Sequence, residues 1–447
     1  MNKKMDDFFH LSERKTDFKT ELLAGLTIFI TMTYVLVTQP GAFVGFGPVS
    51  SVTDVAGLIV SKEAILLVTA LISGIASIVM GLYANLPFVL STGMGMNFVL
   101  GGMVQAGAMS FATAMTVFLI GGIIFVLLSV FGVRDIIVKS IPKNIKLGMC
   151  VIVGILLAWL GMKDAGIISA NPTGGFNFGN LSEKATLLGL FTFLLMAFLH
   201  ARKIKGGVLI AMILATVIGI PLGVTTLPQQ IVAIPSFKAI SSVSFKFDFS
   251  SALNISMFPL ILIAFSTDFF ASLAAFLGLG SKAGMLDEEG NLPNIKRPFL
   301  VDSSFTVIGA MFGCSTITTF AESATGIEEG GRTGLTAIIF GICFILSMLF
   351  APLFLMIPSA ATGPALMFVG FGLIQQIRML DFEDFSESFG AIVMILLQAF
   401  TQNMPVAISA GIITHIFAKL ICGKHKDLNV GLYVLGIILV FYFIFGV

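Results

Sequence analysis

Apolar residues in this chain fall in long unbroken runs, not in short alternating or amphipathic stretches. "AILLVTALISGIASIVMGLYA" (Ala64–Ala84) and "FATAMTVFLIGGIIFVLLSVFGV" (Phe111–Val133) both reach the ~20 residues that a bilayer-crossing helix needs. Runs of this kind predict spans at 22–40, 62–84, 90–108, 111–133, 144–162, 185–200, 207–225, 254–280, 298–313, 320–333, 334–356, 359–378, 386–421 and 429–446. The segment 386–421 is long and is interrupted by "TQNMP", so it reads as one broken helix or two. The longest polar connections are Gly166–Lys184, Thr225–Ser251 and Ser281–Arg297, which leaves no room for a large soluble domain.

The pattern also echoes itself. "IPKNIKLGMCVIVGILLAWLGMKD" from Ile141 and "IPSAATGPALMFVGFGLIQQIRMLD" from Ile357 align Ile-Pro with Ile-Pro, and Val153-Gly154 with Val369-Gly370, at one offset. By the span count the two copies start from opposite sides of the membrane, the mark of an inverted repeat as used by secondary transporters. A second pair sits at matching places in the two halves: "LPFVLSTGMGMNFVLGG" (Leu86–Gly102) and "GCSTITTFAESATGIEEGG" (Gly313–Gly331). Each opens with a short extended piece and runs into Gly- and Ser/Thr-rich sequence. Irregular backbone at membrane depth is tolerated only where it lines a cavity or is buried in protein, so this pair points to a binding site.

Composition agrees with the pattern: 57% of residues are hydrophobic and 11% charged, where a soluble domain carries about a quarter charged. Lipid must therefore be the solvent, and the chain reads as an all-α polytopic membrane protein. The formal net charge of +1 gives no footprint for nucleic acid. Cys150, Cys314, Cys343 and Cys422 are scattered without CxxC spacing and read as small core residues, not a metal site or a disulfide framework. Residues 1–21 are polar and read as a cytoplasmic tail, not a cleaved signal peptide. Lys3, Lys4, Arg14, Lys15 and Lys19 place that tail inside by the positive-inside rule, and Arg134–Lys146, Ala201–Gly207 and the connection with Lys282, Lys296 and Arg297 follow it. No P-loop occurs, so ATP-driven transport is not expected.

Against this background an ionisable residue inside a span is a functional candidate. Asp268 lies near the middle of "ISMFPLILIAFSTDFFASLAAFLGLG" (Ile255–Gly280) and reads as a substrate or proton ligand, or as a structural carboxylate bonded to hydroxyls. Ser272, one turn on, shares its face. Glu322 follows "STITTF" (Ser315–Phe320), a β-prone run too short to span, and either binds substrate or caps the half-helix that follows. A carboxylate beside backbone N–H donors suits a planar heterocycle with an amide edge. Asn97 in "GMGMNF" is the polar member of the matching element, a ligand or a bond across a helix crossing. Glu328, Glu329 and Arg332 read as an ion-paired mouth. His10 and His425 sit in polar segments; His200 and His415 read as structural.

The block "GCSTITTFAESATGIEEGGRTGLTA" resembles the signature of the AzgA-like guanine/hypoxanthine/adenine permeases, a branch of the nucleobase–cation symporter (nucleobase/ascorbate transporter) superfamily. "LLAGLTIFITMTYVLVTQP", "STGMGMNF" and "SKAGMLDEEGNLPNIKRPFLVDS" look like further blocks of it, in order, over nearly the whole chain. The resemblance implies about fourteen helices in two inverted repeats of seven, 22–225 and 254–447, with helices 3 and 10 broken. It implies a core (22–133 and 254–356) moving against a gate (144–225 and 357–447). It also implies a multi-pass permease of the cytoplasmic membrane, not an enzyme, importing a purine nucleobase with protons. Carried over by position, the ligands are Asn97, Asp268 and Glu322; Ser272, Phe320 and Ala321 are expected beside them in the substrate site, with proton coupling through Asp268 and Glu322 and no cofactor or metal. The expected partners are the nucleobase, the proton and the lipid bilayer, with a homodimer left open and no nucleic acid. Two departures stand out: "STDFFAS" keeps Asp268 but has Ala271 where the family has a second aspartate, and "FVLGG" follows Asn97. The rival readings are the same fold retuned to another planar heterocycle or an anion, or an uncoupled channel.

Overall fold

The computed structural model describes residues 3–440 apart from 47–48, 132–141, 171–175, 203, 205, 229, 288–291, 403, 429–430, 434–435 and 438. The first half contains α1 (Lys3–Phe9), α2 (Phe18–Met32), α3 (Val35–Val44), β1 (Ser51–Thr53), β2 (Ile59–Ser61), α4 (Lys62–Val79), β3 (Leu90–Thr92), α5 (Met94–Gln105) and α6 (Phe111–Phe131). It continues through α7 (Lys143–Asp164), β4 (Ile168–Ala170), β5 (Phe176–Phe178), α8 (Lys184–Ala201) and α9 (Gly207–Leu222). Two short helices, α10 (Phe237–Val243) and α11 (Phe249–Ala252), sit in the central connection. The second half is α12 (Phe258–Ala283), α13 (Lys296–Phe312), β6 (Ile317–Thr319), α14 (Ser323–Glu328), α15 (Gly334–Leu346), α16 (Ala351–Leu355), α17 (Ser359–Ile374), α18 (Phe385–Thr401) and α19 (Met404–Ile421). Among the described residues, eight helical stretches are long and apolar enough to cross a membrane, and α9 and α18 are shorter apolar helices.

The offset between the two Ile-Pro copies becomes geometry at the α7–α17 contact. These helices pack against each other along much of their length. A Cβ on Gly154 would lie 2.7 Å from the Gly370 carbonyl oxygen, and one on Gly370 would lie 2.6 Å from that of Gly154. Residues equivalent in the two copies thus touch each other, which places the crossing on the axis that relates the halves. The exchange continues outward: α8 packs on α17, and α18 packs on α7. Gly161 and Gly363 repeat the close approach one layer away, where a Cβ on Gly161 would meet the Gly363 oxygen at 2.4 Å. Gly161→Ala is therefore expected to lower stability by about 1–3 kcal/mol, because the atom it strikes is backbone and cannot swing aside. Thermal unfolding of the detergent-purified variant checks this.

A second group of helices forms around α4 packed on α15 and α6 packed on α13, an equivalent pair of pairs. α2 packs on α15, α14 packs on α2 and α12, and α3 packs on both α4 and α5. The interrupted segment 386–421 proves to be two helices, α18 and α19, folded back on each other at Gln402, whose φ of +52° turns the chain. The predicted span 320–333 is corrected: its helix is only the six residues of α14. Gly330, at φ +100°, ends it, and Thr333 opens α15 by accepting the Leu335 N–H at 3.3 Å. Most of the basic connection Arg134–Lys146 and most of the apolar segment 429–446 lie outside the described residues.

Candidate functional site

The two matching broken elements meet. β3 and β6 pair antiparallel, Leu90 with Thr319, Ser91 with Thr318 and Thr92 with Ile317, and all six residues are buried. The pairing runs on at both ends, with the Gly93 N–H donating to the Thr316 carbonyl at 3.0 Å and the Phe320 N–H to that of Val89 at 3.0 Å. Three-residue strands cannot satisfy their own backbone at membrane depth, so each half supplies the partner that the other lacks. Gly313, at φ +79°, ends α13 and turns the chain toward β6. α5 and α14 then lead away from the crossing, and neither start carries a side-chain cap. The first N–H groups of α5 therefore point back toward the crossing without a capping side chain.

Two aspartates reach β6 from the neighbouring helices. Asp268 on α12 accepts the Thr306 hydroxyl at 2.7 Å through Oδ2, and that hydroxyl also lies 2.8 Å from the Ile317 carbonyl. Its Oδ1 is buried and has no partner among the described residues. Asp302 on α13 is instead fully engaged. Its Oδ1 accepts from Ser272 at 2.9 Å, and its Oδ2 accepts the Thr319 N–H at 2.9 Å and hydroxyl at 2.7 Å. Ser272 is fully buried and also lies 2.8 Å from the Thr318 hydroxyl, so its hydrogen bonds tie α12 to α13 and β6.

On the other side of the crossing, Asn97 donates from Nδ2 to Gln39 Oε1 at 2.8 Å. Gln39 is anchored in turn through Nε2, to the Cys314 carbonyl at 3.0 Å and the Ser315 hydroxyl at 3.2 Å. Asn97 Oδ1 remains buried without a partner among the described residues. Glu322 directly precedes α14 but makes no capping bond; its Oε1 accepts the Tyr34 hydroxyl at 2.9 Å. Tyr34 is available because the first span breaks between α2 and α3. Phe320 is buried, while Ala321 and Ala271 are exposed. Phe98 is buried and stacks on Phe46 with ring centroids 6.3 Å apart.

Asp268, Ser272, Phe320, Ala321 and Glu322 thus gather on or beside β6 and its neighbours, and Asn97 joins them through Gln39. Glu328 pairs with Lys282 at 2.5 Å, whereas Arg332 donates to the Ile327 and Gly331 carbonyls at 2.6 and 2.8 Å. His415 is fully buried in α19, well along the chain from the crossing. Three polar residues of the site escaped sequence reasoning: Asp302, Gln39 and Tyr34. Asp302 carried a signal, an acidic residue inside the predicted span 298–313. Gln39 and Tyr34 carried none beyond polarity at the end of the first span. Among the described residues no group of three His, Cys, Asp or Glu side chains could hold a metal ion.

Comparisons with known proteins follow the same lines. The adenine permease AdeP of Escherichia coli (strain K12) is 32% identical over 426 residues, covering 95% of this chain and 92% of that protein. The guanine/hypoxanthine permease PbuG of Bacillus subtilis (strain 168) is 31% identical over 444 residues, covering 99% and 100%. Among solved structures, the transmembrane domain of a cyanobacterium bicarbonate transporter, BicA, matches with a TM-score of 0.63 at 18% identity, covering 88% of this chain and 97% of that one. That likeness shows the inverted-repeat fold. The model of the family described as "Permease family" (Xan_ur_permease) matches residues 19–410, and the chain belongs to that family.

Proposed function

We propose that this permease imports a purine nucleobase across the cytoplasmic membrane by proton symport, binding it where β3 and β6 cross. The observation that carries the reading is the set of acceptors left over there. Asp268 Oδ1 and Asn97 Oδ1 are buried without partners among the described residues, and the one side-chain donor to Glu322 among them is Tyr34. A buried acceptor left unpaired costs about 1–3 kcal/mol, so the site is built for a ligand that brings N–H groups. A purine edge does so, and its ring acceptors suit the uncapped N–H groups of α5. The names of the relatives, adenine and guanine/hypoxanthine permeases, support the same substrate class. A resident anion fits poorly, because Asp268 and Glu322 both present acceptors.

In this reading α2–α6 and α12–α16 form the core that carries the site, and α7–α9 with α17–α19 form the gate. The packing supports the division: the two groups are each densely packed and touch one another at few points. Alternating access is then movement of the core against the gate, with Asp268 and Glu322 taking up and releasing the coupled proton. Uptake of a labelled purine by the protein in proteoliposomes, driven by an imposed pH gradient and abolished by a protonophore, tests the whole reading. Accumulation that ignores the gradient refutes the symport.

Specificity turns on Ala271. It is exposed on the same turn of α12 as Asp268 and Ser272, and it gives the site one carboxylate fewer than an aspartate there would. Guanine, the most donor-rich purine, leaves a donor unpaired, at about 1–3 kcal/mol. Guanine is therefore expected to rank below hypoxanthine or adenine, and Ala271→Asp to move it up. Competition against one labelled purine, on wild type and variant, reads this directly; guanine as the strongest competitor of the wild type would sink it.

A further inference from the structure

A cavity of about 480 Å³ opens away from the strand crossing, on the face where the N-terminal segment docks. Its walls come from that segment, the turn between α4 and β3, the connection between α12 and α13, and Arg332 just before α15. None of Asn97, Asp268 or Glu322 lines it. His10, Arg14, Arg297 and Arg332 do, with Asn85 and Asn294. No aspartate or glutamate is among the described residues that line it. Glu288 and Glu289, in the α12–α13 connection, lie outside the described residues.

Backbone carbonyls hold Arg14 and Arg332, and among the described residues no carboxylate forms an ion pair with any of the three arginines; Glu13 and Glu21 act on Arg14 only at longer range. Arg14 Nη1 donates to the Asn85 carbonyl at 2.6 Å and to the Arg332 carbonyl at 2.9 Å. Arg332 Nη1 is committed in the same way, to Ile327 and Gly331. Each guanidinium therefore spends its two Nη1 hydrogens on backbone and keeps the three on Nε and Nη2. Arg297 lies over the Tyr83 ring at 5.9 Å. Nearby carboxylates are occupied elsewhere. Glu21 accepts the N–H groups of Arg332, Thr333 and Thr336 at 2.8, 3.1 and 3.1 Å, and Glu328 pairs with Lys282. Glu13 approaches His10 at 3.3 Å on the exposed side.

Like charges converging on one cavity repel unless an anion joins them. Planar guanidinium forks fixed by backbone bonds match phosphate oxygens two at a time, and the volume is that of a small-molecule site. We propose that this cavity is a second binding site, separate from the transport site, for a phosphate-bearing molecule. Bound there, the anion ties the N-terminal segment to the α4–β3 turn and the α12–α13 connection. By the positive-inside count this face is cytoplasmic, where both phosphorylated solutes and lipid phosphates are at hand.

The test uses the full chain in phosphatidylcholine nanodiscs. Inorganic phosphate and adenosine monophosphate are titrated by calorimetry, with adenosine as the phosphate-free control. Parallel nanodiscs containing phosphatidic acid are followed by thermal unfolding. Saturable, salt-sensitive binding of phosphate or the nucleotide identifies a soluble ligand. Stabilisation seen only with phosphatidic acid identifies a lipid headgroup. Either result supports the site if Arg297→Gln weakens it about ten-fold or more while labelled nucleobase binding is unchanged. Should that variant fold poorly, Asn294→Asp, a residue that tolerates the φ of +54° there and adds a negative charge to the cavity lining, carries the same test. No binding of any phosphate probe up to about 10 mM, or binding that both variants leave intact, overturns the proposal.

Discussion

Glu322→Gln is expected to lower nucleobase affinity roughly ten- to a hundred-fold, the equivalent of about 1.5–3 kcal/mol for a hydrogen bond to a charged group. The substitution preserves volume, and its amide oxygen can still accept the Tyr34 hydroxyl that now lies 2.9 Å from Oε1. What changes is the second oxygen, which becomes an NH₂ donor where the proposed site would receive the N–H groups of the substrate. Tyr34→Phe gives the calibration. It removes one hydrogen bond but leaves the carboxylate, so it should cost no more than about ten-fold. Binding to the purified variants separates the cases. If Glu322→Gln binds like wild type, Glu322 does not hold the substrate; if the two variants lose equally, its role is to be positioned by Tyr34.

Asp268→Asn is expected to abolish accumulation against a gradient while exchange of substrate across the membrane survives. The asparagine keeps an acceptor for Thr306, whose hydroxyl lies 2.7 Å from Oδ2, so the tie to β6 is retained. It cannot take up or release a proton at Oδ1, the oxygen without a partner among the described residues. Counterflow in proteoliposomes reads exchange, and uptake under an imposed pH gradient reads coupling. An Asp268→Asn protein that still concentrates substrate would move the proton to another group. Asp302→Asn makes the contrast, since both Asp302 oxygens are taken by Ser272 and Thr319. An NH₂ group on the Thr319 side would meet a backbone donor, and on the Ser272 side it can donate only if that hydroxyl turns to Thr318, so the expected result is a modest loss of stability in place of a clean loss of coupling.

The membrane character and most spans were legible because an uninterrupted apolar run has one physical meaning at such length. The Ile-Pro and Val-Gly echo was legible for a different reason. Proline and glycine are where backbone geometry constrains the residue, and Gly154 and Gly370 turned out to touch. The strand pairing was not legible. Three residues carry no periodicity, and Leu90 and Thr319 are too far apart in sequence for any local signal. Asp302 was visible as an acidic residue inside the predicted span 298–313, but its bonds run to Ser272 and Thr319, residues that only the folded chain brings beside it. Gln39 shows the hardest case: its role exists only once the chain before β6 is folded beside it.

The crossing of β3 and β6 also dictates an order of assembly. When the ribosome has released only the first half, β3 lies in the membrane with one edge unserved, because its partner is encoded beyond the central connection. Leu90 can lean on Ser77 for the moment, but Gly93 and Val89 must wait for Thr316 and Phe320. Unmet backbone groups in lipid cost several kcal/mol each, so the half-made protein should be short-lived and dependent on chaperoning by the insertion machinery. A chain cut in the Thr225–Ser251 connection would leave two fragments with complementary defects, and neither could mature until it found the other.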